Sequence, residues 1–192
     1  MFNLSDVVGE ANFYNEVNST FVKDRFCNSN SSVYLNQGYL QVPTGDHFSS
    51  NFTLTVWIFF KSYQSNSEII NFSNEPKTDT LIFSMLYKTR KLFAGLCNEN
   101  GCLNVTSKEP IELYNWYHLA LAFDGSNVYI YVNGVLASKG AFNLRNNVER
   151  TNNFVGKNSD AIFDELKIFK GAMTEDQILN DYVSTSDYFY FI

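Results

Sequence analysis

The sequence predicts an all-β protein: two antiparallel sheets packed as a sandwich, with one short helix near the C-terminus. Three observations carry this. Residues suited to a pleated, half-buried surface dominate, with 18 Phe and 12 Tyr beside frequent Val, Ile and Thr, while the strong helix former Ala is scarce. Corners are supplied mainly by asparagine, at 24 Asn against 10 Gly and 3 Pro, and Asn tolerates left-handed turn geometry well. A two-residue hydrophobic period then recurs along the chain, often enough for two layers.

The elements follow in order. Alternation marks short strands at 33–35 and 39–42 and a long one at 52–60, Phe-Thr-Leu-Thr-Val-Trp-Ile-Phe-Phe. The long strand puts Phe52, Leu54, Val56, Ile58 and Phe60 on one side and Thr53, Thr55, Trp57 and Phe59 on the other, which reads as a central strand. Further strands are expected at 68–72, 80–86, 91–97, 116–123, 128–132 and 162–169. Asp124-Gly125 joins two of them as a hairpin, and Asn133-Gly134 turns the chain again. Thr174 and Gln177 have the spacing of a capping box, with Met173 and Ile178 placed as its hydrophobic staple, so a helix starts there. Ile178, Leu179 and Tyr182 are its expected packing residues.

Composition excludes several functions. With 14 basic and 20 acidic residues, net charge −6 and pI near 4.9, the chain lacks the cationic surface that displaces counterions from nucleic acid. No apolar run is long enough to insert in a membrane, and the opening Met1-Phe-Asn-Leu-Ser-Asp has no secretion-signal blocks. The 192 residues show no repeat or linker, so residues 1–192 are expected to form a single domain.

Particular segments carry a family resemblance: Gly38-Tyr-Leu-Gln-Val-Pro43, Phe52-Thr-Leu-Thr-Val-Trp57, Trp116-Tyr-His-Leu-Ala120, Tyr129-Ile-Tyr-Val-Asn-Gly-Val135, Phe163-Asp-Glu-Leu-Lys-Ile-Phe169 and Met173-Thr-Glu-Asp-Gln-Ile-Leu179. In this order and spacing, residues 38–182 resemble the laminin-G-like, concanavalin A-like jelly-roll modules. The resemblance implies a curved antiparallel jelly roll, an extracellular setting (secreted, or the ectodomain of a membrane protein), and an adhesion or lectin-like module that binds a protein or glycan through rim loops or a sheet face. A spacer or assembly domain of a larger receptor or matrix protein, with neighbouring domains, is the alternative. Catalysis is not expected. The glucanases of this superfamily use carboxylates alternating along one strand, whereas Asp164 and Glu165 are adjacent and would point to opposite faces. Neither His47 nor His118 belongs to a nucleophile's constellation.

Several residues stand out. Asp164 shares its face with Ile162, Leu166 and Ile168, and an inward carboxylate needs a partner: backbone amides, Arg25, protonated His118 or a metal. The resemblance implies calcium at a sandwich rim, for which Asp164, Asp24 and Asp46 are the candidate ligands. His118, alternating with Trp116 and Ala120, is read as a core histidine. Tyr129 and Tyr131, on one sheet face, are candidates for stacking on a sugar or partner, with plain cross-strand packing as the alternative. Lys88-Thr-Arg-Lys91 is read as a solvated loop. Cys97 and Cys102 flank a turn and are placed for a local disulfide, leaving Cys27 over. Glycosylation sequons occur at Asn3, Asn18, Asn30, Asn51, Asn71 and Asn104, against roughly four by chance, a mild excess that favours secretion. The aromatic tail after Ser184 is expected to be covered, by this domain or by a neighbour.

Overall fold

A computed structural model describes residues 12–48, 51–74, 79–99, 101–142 and 148–186. Asn3 and the aromatic tail from 187 onward lie outside the described residues. The strands are β1 (Asn15–Val22), β2 (Ser32–Val42), β3 (Phe52–Phe60), β4 (Ser67–Ser73), β5 (Asp79–Met85), β6 (Lys91–Asn98), β7 (Gly101–Pro110), β8 (Trp116–Phe123), β9 (Asn127–Val132), β10 (Val135–Ala141) and β11 (Asn152–Lys170), followed by helix α1 (Glu175–Ser186). All strand pairs are antiparallel, in the order β10-β9-β8-β3-β11-β4-β5-β6-β7, with β2 also on β11 and β1 on β2.

β11 makes this a sandwich. Its first residues, Asn152 to Val155, pair with β4, whereas Ala161 to Lys170 pair with β3. The strand therefore belongs to both layers, and it bends between them where its register on β2 shifts around Ser159. Between the layers lie the inward residues of the central strands, among them Leu54, Val56, Ile58 and Phe60 of β3, Ile70 and Phe72 of β4, Phe83 of β5, Leu119 and Leu121 of β8, and Phe163 of β11. Burial of these side chains, at roughly 1.5–3 kcal/mol each, is the main force holding the layers together.

The expected turns form. Asn133 (φ 50°) and Gly134 (φ 78°) make the tight β9–β10 hairpin, whose two positive φ values suit Asn-Gly. A side chain at position 134 would also collide with Leu179, at 2.8 Å from an added Cβ. Cys97 and Cys102 face each other across β6 and β7 and are disulfide-bonded. The capping box at α1 is complete: the Thr174 amide donates to Gln177 Oε1 (2.8 Å) and the Gln177 amide to Thr174 Oγ1 (3.3 Å). Ile178 is fully buried, and Leu179, though 41% exposed, packs on the Gly134 turn beside Tyr182. A fully buried ion pair, Arg150 Nη2 to Asp79 Oδ1 at 2.6 Å, fixes one end of the sandwich.

Candidate functional site

The outward face of the β2-β11-β3-β8-β9 layer divides into a covered zone and a bare one. In the covered zone, register places Asp164, Trp57 and His118 in one cross-strand row. Lys167, Thr55, Ala120 and Tyr131 form the next row. Helix α1 lies over both. Ile178 packs with Ala120, Ala122 and Tyr131, Tyr182 contacts Trp57 and His118, and Trp57 Nε1 donates to Thr185 Oγ1 at 2.9 Å. Asp181 receives His118 Nε2 and Lys167 Nζ, both at 3.0 Å. Burial alone would raise the Asp181 pKa, but the His118 and Lys167 hydrogen bonds outweigh it and hold the carboxyl well below the usual range.

Arg25 closes this zone. Its guanidinium stacks on Trp57 and Phe26, pairs with Asp164 and Glu165, and donates to the Thr185 carbonyl near the end of α1. Two expectations change here. Asp164 is buried, but on the outward face beneath Arg25, because Phe163 and not Asp164 points between the layers. Asp164 and Glu165 do not point to opposite faces either: a bulge between Asp164 and Lys167, with Glu165 at φ 47°, lets both reach Arg25. Burial pushes the Asp164 pKa up to about 6 despite Arg25. Tyr131 is only 5% exposed beneath α1, so it does not present a stacking face. Tyr129 stacks on Tyr131 (6.4 Å between ring centroids) and donates its hydroxyl to Asp124 at 2.6 Å. That bond leads the causes that lower the Asp124 pKa to about 2. The two tyrosines thus pack on each other along β9.

The bare zone begins one row away. Tyr34, Ile162, Phe59 and Trp116 stand opposite one another on β2, β11, β3 and β8, each partly buried. Phe59 lies 5.6 Å from Trp116 and 6.3 Å from Tyr114 between ring centroids. Tyr114 is 66% exposed and holds a left-handed backbone, φ 62°, which a bulky side chain rarely adopts. Its amide donates to the Phe60 carbonyl at 2.9 Å, pinning the turn against β3. Beside the row, Asp160 accepts from Tyr34 Oη (2.8 Å) and Ser62 Oγ (2.6 Å), and Gln64 donates to Ser62. Lys61 Nζ lies 4.0 Å from the Tyr34 ring centroid. This row was not singled out from the sequence. The available signal was the outward phase of Phe59 and Trp116 in two strands that were recognised.

The proposed calcium ligands do not converge. Asp164 is held by Arg25. Asp24 accepts from the Phe26 and Asn28 amides and from Asn28 Nδ2, capping its own turn. Asp46 is exposed beyond Val42, at the opposite end of the β2–β11 ladder from Asp164. Such an arrangement does not fit one calcium cage, which needs six to eight oxygens around a point. Among the described residues no three His, Cys, Asp or Glu side chains cluster for a metal. His118 is buried and bonded to Asp181, as a core histidine. Arg90 of the basic loop stacks on Tyr63 and pairs with Glu112. Cys27 is free and exposed. Asn18, Asn30, Asn51 and Asn104 are exposed, whereas Asn71 is half-buried and donates to Glu68.

Comparison with known proteins agrees with this architecture. The family model described as Concanavalin A-like lectin/glucanases superfamily matches residues 35–179. Among solved structures, domain 4 of AbnA, a GH43 extracellular arabinanase from Geobacillus stearothermophilus in complex with arabinotriose, superposes with TM-score 0.73 at 18% identity, over 93% of this chain and 92% of that one. The binding domain of Paraclostridial Mosquitocidal Protein 1 gives 0.72 at 15% identity, over 94% of this chain. That of botulinum neurotoxin serotype G gives 0.74 at 15%, over 95%. The chain spans about half of those two toxin domains, 49% and 48%. At these identities the likeness establishes the fold. No curated protein matches the chain in sequence.

Proposed function

The chain belongs to the Concanavalin A-like lectin/glucanases superfamily, and from that premise we propose that it is a non-catalytic, extracellular glycan-binding module whose ligand lies on the Tyr34, Ile162, Phe59, Trp116 row and against Tyr114. The carrying observation is Tyr114: a tyrosine two-thirds exposed, in a strained backbone, set beside the partly buried Phe59 ring, which in turn lies against Trp116. Strain of this kind costs roughly 1–3 kcal/mol and gathers at binding and switch sites. Flat aromatic faces beside fixed hydroxyl and carboxylate groups suit a sugar ring, which offers C–H bonds on its faces and hydroxyls at its edge. The arabinotriose-bound arabinanase domain supports the reading, as a protein of the same fold with a saccharide ligand. Both Asp164 and Glu165 are engaged by one arginine, Arg25, which supports a structural use of this carboxylate pair. The Cys97–Cys102 bond and the sequons support the extracellular setting.

The test is a glycan array of neutral and acidic oligosaccharides, probed with the wild type and with Trp116→Ala and Tyr114→Ala. Wild-type binding that falls at least tenfold in both variants, with melting temperature held, is the expected result. Absence of any wild-type binding across the array would overturn the reading and leave a protein partner for this surface.

A further inference from the structure

Asp160 and Lys61 sit at the edge of the aromatic row, next to Tyr34. Asp160 is partly buried, and its two oxygens each accept one hydroxyl, from Tyr34 and from Ser62. A carboxylate has about four lone-pair positions, so each oxygen keeps one free. Among the described residues no basic side chain pairs with it. Lys61 is the neighbouring cation: its amide donates to the Asp160 carbonyl at 2.9 Å, yet its ammonium is set on the face of Tyr34 and not on the carboxylate. One tyrosine thus holds an acceptor at its hydroxyl and a donor over its ring. Gln64, bonded to Ser62 at 2.8 Å, extends the fixed polar edge.

We propose that Asp160 and Lys61 determine specificity by reading a vicinal diol of a neutral sugar, a step that rests on the glycan-binding reading above. One hydroxyl donates to Asp160 while its neighbour accepts from Lys61, with the ring of the sugar against Phe59 and Trp116. A separated carboxylate and ammonium match adjacent hydroxyls, each of which can both donate and accept. An anionic group in the same place would meet Asp160 at close range and be repelled. The ligands selected are therefore uncharged saccharides with two free adjacent hydroxyls, in preference to sulfated or carboxylated ones.

The experiment measures affinity for the array glycans that the wild type retains, before and after mild periodate oxidation followed by borohydride reduction, which cleaves vicinal diols. The same glycans are measured with Asp160→Asn and Lys61→Met, near-isosteric changes, and thermal melting verifies that both variants fold. Expected are retained glycans that are neutral, a loss of about tenfold or more in each variant, and loss of binding after oxidation. If oxidised glycans bind as before, or both variants stay within twofold of wild type while Trp116→Ala abolishes binding, the diol assignment fails and the aromatic site stands. Retention of only sulfated or carboxylated glycans also overturns the assignment. If the wild type retains no glycan at all, both fail together.

Discussion

Trp57 and Phe59 are two residues apart on one strand and point the same way, as do His118 and Trp116 on the next, yet their surroundings are opposite. Trp57 is 6% exposed, with its indole N–H bonded to Thr185, its face against Arg25 and its edge against His118. Phe59 and Trp116 are only partly buried, one row beyond those that Ile178 and Tyr182 of α1 cover. A single sheet face thus carries aromatic residues used as packing and aromatic residues left in contact with solvent. Alternation in the sequence is the same for both, so it is the covering element, and not the strand, that separates structure from display.

The contrast can be broken by substitution. Trp57→Ala should have the largest effect on stability, about 3–5 kcal/mol by analogy with other buried aromatic truncations, read by denaturant unfolding. Arg25→Ala should follow at roughly 3 kcal/mol, because it strips the partner from the buried Asp164. Protonation of Asp164 limits that loss, so the deficit should shrink below pH 6. Tyr114→Gly should stabilise by about 1 kcal/mol by releasing the left-handed backbone while weakening glycan binding, an opposition that a purely structural tyrosine would not produce. Trp116→Ala should change stability by less than about 1 kcal/mol, since the residue sits outside the core, and act on binding alone. Equal destabilisation by Trp57→Ala and Trp116→Ala would erase the distinction between the two zones.

Acid sharpens the comparison within the covered zone. Asp164 has a folded pKa of about 6, above its ordinary 3.8, so its contribution to stability is greatest below pH 4 and is lost as pH rises through 6. Asp181 has the opposite sign: its depressed pKa supplies stability that is present above the ordinary carboxylate value and lost as pH falls below it. Melting curves of Asp164→Asn should therefore lack the wild-type decline between pH 4 and 6, while Asp181→Asn should lose the acid-side decline. An unchanged slope in Asp164→Asn would remove the burial argument.

The central strands were legible because one clean alternation served one core: β3, β8 and β9 appear where the two-residue period placed them. The capping box located α1 for the same reason, a local signal with a local cause. β1, β7, β10 and the first half of β11 were not legible. β1 carries a bulge at Asn18 (φ 49°) and buries little, β7 and β10 end the strand order and are mostly exposed, and β11 passes between layers through polar Asn153 and Ser159, both buried. In the covered zone, Asp164 was correctly marked as a carboxylate needing a partner, and Arg25 was among the partners considered. Its face was misread because the bulge at Glu165 shifts the period by a residue. Nothing local to β9 places α1 over Tyr131, and the aromatic row depends on strands far apart in sequence, which alternation in any one of them does not bring together.

The position of β11 also governs when the molecule can exist. Because this 19-residue strand joins the two sheets and follows every other strand of the described residues, neither sheet is complete until it has been made. Until it arrives, the strands made before it lack the one partner that links their two layers, so this fold closes late in its own sequence.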